Sequence, residues 1–402
     1  MGSINIDNTG SGGAITLSSD GTSLLLGGSA VGGSPDLYAE TYDGTSTKPT
    51  AGGTNTVAIG KDATSSNSFT IALGQGANAS GSGAGAFGRL SQATGGGSHA
   101  FGLQANSSGT YATAIGRGSG VTATSVGTGS TAIGGSYASG SDSLAAAIAN
   151  NTSTYGATGT SSIAMGYLAK ASGNFATAIG RGSATGTSSV AIGGMQYGAA
   201  SATGTASVCI GANYALSNPS ATGNGSIALH DGSSTSSSAQ NSIAIQGAAT
   251  TIFGQFAFAG GESGSTAQTS IHVLKRATTN ATASVLVANR IVANASPSTT
   301  NQIALPNNSA YSFSGTIVAR QQAADGTACA AWKVEGLIRR EGSAGTTTLV
   351  GSTVTAISNT PSWGMALSAD TTNGGLKVEA TGAASTDIRW VATIHTSEVT
   401  YA

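Results

Sequence analysis

The sequence predicts an all-β protein in which a parallel β-roll shaft precedes an antiparallel β-sandwich. A short apolar signature recurs thirteen times between residues 58 and 246. The chain holds 62 glycines among 402 residues and only 8% charged residues. After about residue 251 the charges become denser, and all three tryptophans lie in that last part. A recurring signature of this kind marks a repeat architecture, in which each unit buries its apolar face against its neighbours.

The repeat signature is Ala-Ile-Gly with close variants, and its first four steps are 14 residues each while later steps run from 13 to 19. The large residues of the thirteen copies are Ile59, Leu73, Phe87, Phe101, Ile115, Ile133, Ile148, Met165, Ile179, Ile192, Ile210, Leu229 and Ile245. Fourteen residues are too few for a helical hairpin but enough for two short strands and two tight turns. The predicted shaft spans residues 51–251.

Within one repeat, large apolar residues alternate with alanine, as in Val57-Ala58-Ile59. This period of two predicts a strand with one apolar face. We expect a thin interior in which Ala and Ser fill most inward places beside one or two large residues per coil. Ile115→Asp should then be severely destabilising, while Arg117→Ala, at an exposed position, should be nearly neutral. Cys209 takes the alanine place in its repeat and is expected to be a small packed residue, with a disulfide or metal pair to Cys329 as the alternative.

Two glycine registers, one beginning at Gly60 and the other at Gly81, indicate two turns and therefore two strands per repeat. Stacked repeats would form two parallel sheets, and neighbouring coils would lie about 4.8 Å apart along each sheet. A roll this narrow buries little surface by itself. We therefore expect a further flat face to be covered by identical chains around an axis.

These repeats resemble the head domain of trimeric autotransporter adhesins over about residues 54–247. The resemblance is most specific in Val57–Gly116, in Tyr111–Ser119 and in its near copy Phe175–Ser183. It implies a left-handed parallel β-roll with coils of roughly 14 residues and a parallel homotrimer with the rolls packed about the axis.

Residues 1–50 carry five acidic residues against one lysine, and short strands are predicted at Ser3–Asp7, Ala14–Ser18 and Ser23–Leu26. They are neither repeat-like nor similar to the C-terminal part. The segment is expected to cap the first coil, to attach the fibre to a virion or fibre base, or to do both. It contains no basic start and no long apolar stretch, so a signal peptide is not expected.

Residues 252–402 contain roughly nine strands that alternate apolar and polar residues between Gly, Asn and Ser turns. Such a pattern with an aromatic core predicts an antiparallel β-sandwich or jelly roll at the tip of the shaft. The segment Trp332–Ala402 resembles the distal domains of bacteriophage tail fibres. Trp332 and Trp390 are expected in the core. Trp363 lies in a turn-rich stretch and is either an exposed receptor-binding residue or a plug at one end of the core.

The sequence contains no motif that predicts a nucleotide, metal or catalytic site, and no cofactor is expected. The four histidines lack ligand spacing, although in a trimer three copies of one histidine such as His99 could meet on the axis and hold an ion. Glycoside hydrolysis needs two nearby carboxyl groups. The shaft offers only Asp62, Asp142 and Asp231, and most acidic residues of the tip stand beside Lys or Arg. A net charge of −1 and the absence of a long apolar run predict neither nucleic-acid binding nor membrane insertion.

Taken together, these features favour a non-enzymatic homotrimeric tail fibre of a bacteriophage, located on the virion and made in the host cytoplasm. Its expected partners are two further copies of itself, an attachment protein at the N-terminus, and a host-surface glycan or protein at the tip. The alternatives are a bacterial surface adhesin or fibre and, third, a tailspike that degrades polysaccharide.

Overall fold

The computed structural model describes residues 47–117, 122–146, 154–193, 198–211, 218–260, 267–289, 295–323, 328–359 and 363–401, together with four short strands near the N-terminus. These four strands pair antiparallel in chain order and span Ile4–Ile6, Ile15–Ser19, Leu24–Leu26 and Ser29–Val31. The first three lie where the sequence predicts short strands. None of the helices in the described part of the chain is long and apolar enough to span a membrane.

Met1–Gln104 and Ala105–Ala402 form two compact units, and coils of the same kind occur in both. Each coil has one longer strand, here called a ladder strand, that pairs in parallel with those of neighbouring coils. The ladder strands of the first unit are Val57–Ile59, Ile71–Leu73, Gly85–Phe87 and His99–Phe101. Those of the second unit are Thr113–Ile115, Thr131–Ile133, Leu144–Ala146, Ile163–Met165, Thr177–Gly180, Val190–Gly193, Val208–Gly211, Ile227–Leu229, Ile243–Ile245 and Phe256–Ala259.

A second parallel sheet faces the ladder strands and consists of two-residue back strands. In the first unit they are Thr50–Ala51, Thr64–Ser65, Asn78–Ala79 and Gln92–Ala93. In the second unit they are Asn106–Ser107, Thr124–Ser125, Tyr137–Ala138, Gly156–Ala157, Lys170–Ala171, Ser183–Ala184, Ser201–Ala202, Ser220–Ala221, Ser234–Thr235 and Ala249–Thr250. The predicted parallel β-roll with two strands per coil is therefore confirmed.

The interior of the roll is built from alanine and serine, as predicted, but the large apolar residues of the ladder strands point outward, which corrects their predicted inward position. The alanines at the centre of the ladder strands, such as Ala72, Ala114 and Ala132, are 0% exposed. Ile115, predicted to be buried, is 40% exposed, and Arg117 is exposed as predicted. Because the two sheets lie close together, small side chains such as Ala, Ser and Cys fill the space between them, and the large residues point outward.

One of the thirteen predicted repeat positions is wrong. In the ladder strand Leu144–Ala146, Ala146 pairs with Ile133 on one side and Met165 on the other. The small residue Ala146 therefore holds the place assigned to Ile148, and Ile148 lies outside the described residues. Cys209 is buried at 0% exposure and pairs with Ala191 and Ala228, which confirms that it substitutes for an interior alanine.

The two glycine registers have different physical causes. Gly60, Gly74 and Gly88 have φ between 118° and 133°, a region that favours glycine. At Gly81, in contrast, a Cβ atom would lie 1.9 Å from the carbonyl oxygen of Gly95 in the next coil. The second register therefore permits the close approach of successive coils. Buried serines often follow these corner glycines by three residues, and the Oγ of Ser130 donates to the Gly127 carbonyl at 2.7 Å.

The chain changes from parallel to antiparallel pairing between Ala259 and Ala267, where the tip begins. Its strands are β1 (Ala267–Thr278), β2 (Ser284–Val285), β3 (Ile303–Ala304), β4 (Ser309–Gln321), β5 (Cys329–Arg340), β6 (Thr348–Ser358), β7 (Gly364–Asp370), β8 (Gly375–Thr381) and β9 (Ile388–Thr400), with a 3₁₀ turn at Ala344–Thr346.

Two antiparallel sheets make up the tip. The larger has the order β1-β9-β4-β5-β6, and in the smaller β8 pairs with β7 on one side and with β2 and β3 on the other. The core between them holds Phe313, Trp332, Val378 and Trp390, each at most 3% exposed, and it includes both tryptophans expected there. The predicted antiparallel tip and its inward faces are therefore confirmed.

Candidate contact surfaces

The outward face of the ladder strands is an apolar surface in each unit. Two side chains per strand point outward, and in the first unit they form rows such as Ile59, Leu73, Phe87 and Phe101. The rings of Phe87 and Phe101 stack with centroids 5.0 Å apart. Phe101 is nevertheless 40% exposed, because no part of the chain that the structure describes covers this face completely.

The same outward face in the second unit continues over ten strands, a row of about 43 Å at roughly 4.8 Å per coil. Ile115, Ile133, Met165, Ile179 and Ile210 are between 39% and 43% exposed. We call this outward face of either unit the apolar ladder. A monomeric protein rarely leaves a contiguous apolar surface of this size exposed, so the apolar ladder is a candidate protein interface.

A second set of exposed apolar residues lies at the turns that precede ladder strands. Phe69, Tyr111 and Phe175 are 64%, 72% and 61% exposed, and their φ angles are +59°, +55° and +58°. A bulky residue is strained in this left-handed region. Because these side chains are exposed, they gain no free energy from burial that would offset the strain. These three aromatic residues are therefore candidate contact points. The sequence showed Tyr111 and Phe175 at equivalent places, but it did not show that the backbone there is left-handed.

Because of this strain, Phe175→Asn should raise the thermal midpoint of the shaft rather than lower it. Asparagine adopts the left-handed conformation more readily, and relief of the strain is worth about 1 kcal/mol. Thermal unfolding followed by circular dichroism would measure the change. Ser188, which has φ of +57° at the equivalent turn, provides the control site, and Ser188→Asn should have a smaller effect. A lower midpoint for Phe175→Asn would mean that the ring is buried against another chain.

Trp363 lies in the core of the tip and not in an exposed loop. It is 5% exposed, and its ring centroid is 5.8 Å from that of Trp390, which in turn stacks on Trp332 at 5.5 Å. This is the position of the plug at one end of the core. The adjoining residues 360–362 lie outside the described residues. In this conformation the Trp363 ring is not available to a receptor.

A buried polar network joins the end of the roll to the tip. Gln255 Oε1 accepts hydrogen bonds from the backbone N–H groups of Thr251 and Ile252, and its Nε2 donates to Ser270 Oγ at 2.9 Å. Gln268 donates to the Ala249 carbonyl at 3.1 Å and to Glu398 Oε2 at 2.8 Å. These bonds hold the last coil against β1 and β9, so the network fixes the orientation of the tip on the coil that carries it.

Glu398 is the charged centre of this network. Its carboxylate accepts a hydrogen bond from Thr396 Oγ1, and its Oε1 lies 3.8 Å from His272 Nε2. Burial alone raises the pKa of Glu398, but hydrogen bonds from His272, Thr396 and Ser270 outweigh it and hold the pKa below the ordinary 4.5. A cavity of about 290 Å³ beside the network is lined by His272, Glu398 and Tyr311, among others. Since Glu398 and both glutamines are occupied within the protein, the network is structural.

Tip stability should fall in acid because the folded-state pKa of Glu398 is depressed. Its contribution is present above the unfolded pKa near 4.5 and is lost as the pH falls through the lower folded value. Glu398→Gln should remove this part of the pH dependence and lower stability at pH 7 by about 2 kcal/mol. Thermal midpoints of both proteins from pH 7 to pH 3 test this, and a midpoint independent of pH in the unmodified protein would contradict it.

Asp370 is a second carboxylate of the tip whose pKa is depressed. Burial alone raises its pKa, but hydrogen bonds from Asn373, Gln302 and Thr372 lower the pKa from 3.8 to about 2. The carboxylate closes the turn between β7 and β8. Its contribution to stability is therefore present above the unfolded pKa near 3.8 and is lost as the pH falls from there through about 2.

The remaining polar residues that the sequence singled out are spread over the chain. Glu335 and Glu341 pair with Lys333 and Arg339 on the exposed face of the tip. Among the described residues, no three His, Cys, Asp or Glu side chains of one chain gather as metal ligands. His99 lies on the apolar ladder, His230 in an exposed turn, His272 in the polar network and His395 on the outer face of β9. Burial raises the pKa of the Cys209 thiol to about 11, and Cys329 is exposed.

Comparison with known families agrees with this geometry. The family model described as YadA head domain repeat (2 copies) matches residues 51–77, 93–119 and 157–183, all within the coils. A search of curated proteins gives no match. The matched ranges cover less than half of the chain. The shaft is a β-roll similar to that of trimeric autotransporter heads, and this similarity points to an adhesin-like fibre on an extracellular surface.

Proposed function

We propose that this protein is a homotrimeric adhesive fibre whose β-roll shaft carries a β-sandwich tip to a host-cell surface. The observation that carries the proposal is the apolar ladder, in which several large side chains remain about 40% exposed in one chain. Coils that form this ladder match the repeat family. A spacer of stacked coils that carries an antiparallel domain suits adhesion better than catalysis.

The trimer is proposed from the chemistry of the apolar ladder. Rows of Ile, Leu, Val, Phe and Met at coil spacing present the same surface on every chain, so identical chains can cover one another around an axis. Three chains is the number that the similarity to trimeric autotransporter heads implies. Sedimentation should find trimers that resist mild denaturant. A stable folded monomer at micromolar concentration would contradict the proposal.

Host recognition is proposed for the tip. Most of the shaft surface beyond the apolar ladder is Ser, Thr, Gly and Asn, while the tip carries both signs of charge on the outer faces of its strands. The partner class is a cell-surface glycan or protein. Residues 1–50 are proposed to cap the first coil and to hold the fibre to its base. Neither cofactor nor nucleic acid takes part in this function.

The proposal has two forms, which differ in whether a phage virion or a bacterial cell carries the fibre. A phage virion is proposed because the segment Trp332–Ala402 resembles distal domains of tail fibres. A bacterial cell surface is the second candidate, and the match to the YadA head repeat favours it. Immunogold electron microscopy with an antibody to the tip distinguishes them. Label at the tail of virions supports the phage fibre, and label confined to bacterial cells supports the surface adhesin.

Deletion of residues 267–402 should abolish binding to host cells while the coils still form trimers. The cut falls where parallel pairing ends, so it leaves the ladder strands intact. Binding of fluorescently labelled full-length and truncated protein to cells measures the effect, and sedimentation of both is the control. If the truncated trimer binds as well as the full chain, the shaft rather than the tip contacts the host.

We propose a non-enzymatic role because acidic residues of the tip are engaged in contacts within the protein. In the tip, Glu335 and Glu341 are paired with Lys333 and Arg339, and Asp370 closes a turn. A polysaccharide-degrading tailspike would need a free pair of carboxyl groups. Incubation of the full chain with host surface polysaccharide, followed by size-exclusion chromatography, should show no shortening. Shortened polysaccharide would establish the tailspike alternative.

A further inference from the structure

The apolar ladder contains one ionisable residue among the described ladder strands of both units, and that residue is His99. The other outward places hold Val, Ile, Leu, Phe, Met, Ala, Gly or Thr. His99 is exposed in the single chain, whereas in the proposed trimer the surface around it would be covered. A buried imidazole without a polar partner is costly, so a histidine at this place needs a partner that the single chain does not supply.

The neighbouring residues hold the imidazole in a defined place. His99 pairs with Gly85 in the adjacent strand, and a Cβ atom on Gly85 would lie 2.9 Å from His99 Nδ1 and 2.6 Å from the ring of Phe87. The missing side chain therefore leaves room for the ring. On the other side the His99 ring lies 6.1 Å from that of Phe101, with 28° between the planes. No hydrogen bond within the described residues engages either ring nitrogen of His99.

We propose that the His99 side chains of three chains converge in the trimer and bind one divalent transition-metal ion, with Zn²⁺ as the probe. This inference rests on the proposed trimer. Three imidazole nitrogens are a ligand set that Zn²⁺ accepts, and the fourth tetrahedral position remains for water or an anion. The site does not exist in one chain, because it takes one nitrogen from each of three. The bound ion would supply the polar partner that each buried imidazole lacks.

The test uses the full chain, with His99→Leu as the variant and His230→Gln as the matched control. His230 lies in an exposed turn away from the apolar ladder. Metal content after equilibration with Zn²⁺ and gel filtration should be one ion per three chains in the unmodified protein and in His230→Gln. It should be zero in His99→Leu. The thermal midpoint should rise by several degrees with Zn²⁺ relative to EDTA only in the two proteins that retain His99.

Sedimentation in EDTA keeps this inference separate from the proposed function. If all three proteins are trimers and the unmodified protein binds no more Zn²⁺ than His99→Leu, the metal site is wrong while the trimer stands. If none of them forms a trimer in EDTA or in Zn²⁺, the proposed assembly fails and the metal site fails with it. Zinc bound at one ion per chain in both the unmodified protein and His99→Leu also overturns the site.

Discussion

Ala132→Asp should unfold the coils around Thr131–Ile133 at any protein concentration. Ala132 is 0% exposed and pairs with Ala114 and Ala145, whose side chains are also fully buried. A carboxylate there would be unpaired, and its volume would force the two sheets apart. Both effects are among the few that cost a protein more than about 4 kcal/mol. Denaturation monitored by circular dichroism would measure the loss.

The control for this variant is Ala132→Cys. Cys209 occupies the same interior place in another coil, so a thiol is known to fit between the two sheets. Ala132→Cys should therefore retain the fold with a small loss of stability, measured under reducing conditions. If Ala132→Asp also kept the stability of the unmodified protein, the alanines could not be the interior of the roll.

Ile133→Asp, one residue further along, should instead abolish the trimer. Ile133 is 41% exposed in the single chain and pairs with Ile115 and Ala146 on the apolar ladder. A carboxylate at this place remains hydrated in an isolated chain, but it would be buried without a partner between chains. Three such charges around one axis would also repel each other. Sedimentation at micromolar concentration should show loss of the trimer peak.

Two controls accompany this substitution. Ile133→Val keeps an apolar surface and should preserve the trimer, while Arg117→Ala changes an exposed residue and should be nearly neutral. The concentration dependence separates the two aspartate variants, since a defect of assembly is eased at high protein concentration and a defect of the interior is not. A fully trimeric Ile133→Asp protein would show that the apolar ladder lies outside the interface.

The regular features of the shaft could be predicted from the sequence because they follow from spacing. The period of about 14 residues leaves room for two strands and two turns, and the glycines at Gly60 and Gly81 mark those turns. The tip was predictable for a similar reason. Strands such as Cys329–Arg340 place apolar and charged residues alternately, and only the apolar side can be buried.

Which face of each ladder strand points into the roll could not be predicted in this way, because both faces are apolar. In Thr131-Ala132-Ile133 a period of two separates alanine from isoleucine, but it does not say which one is inside. The distance between the two sheets decides this, and that distance is a property of the whole coil. The varying length of the segments between coils also hides the register. The signature assigns to Ile148 the place that Ala146 holds in the structure.

The sequence by itself therefore determined the coil, its turns and the alternation of the tip strands, all of which depend on residues close together in the chain. Only the tertiary structure decided which face is interior, where Trp363 packs, and how Gln255, Gln268 and Glu398 join the roll to the tip. These features depend on contacts between residues up to 130 positions apart. Local patterns do not record such contacts, because each pattern is compatible with several ways of packing the same strands.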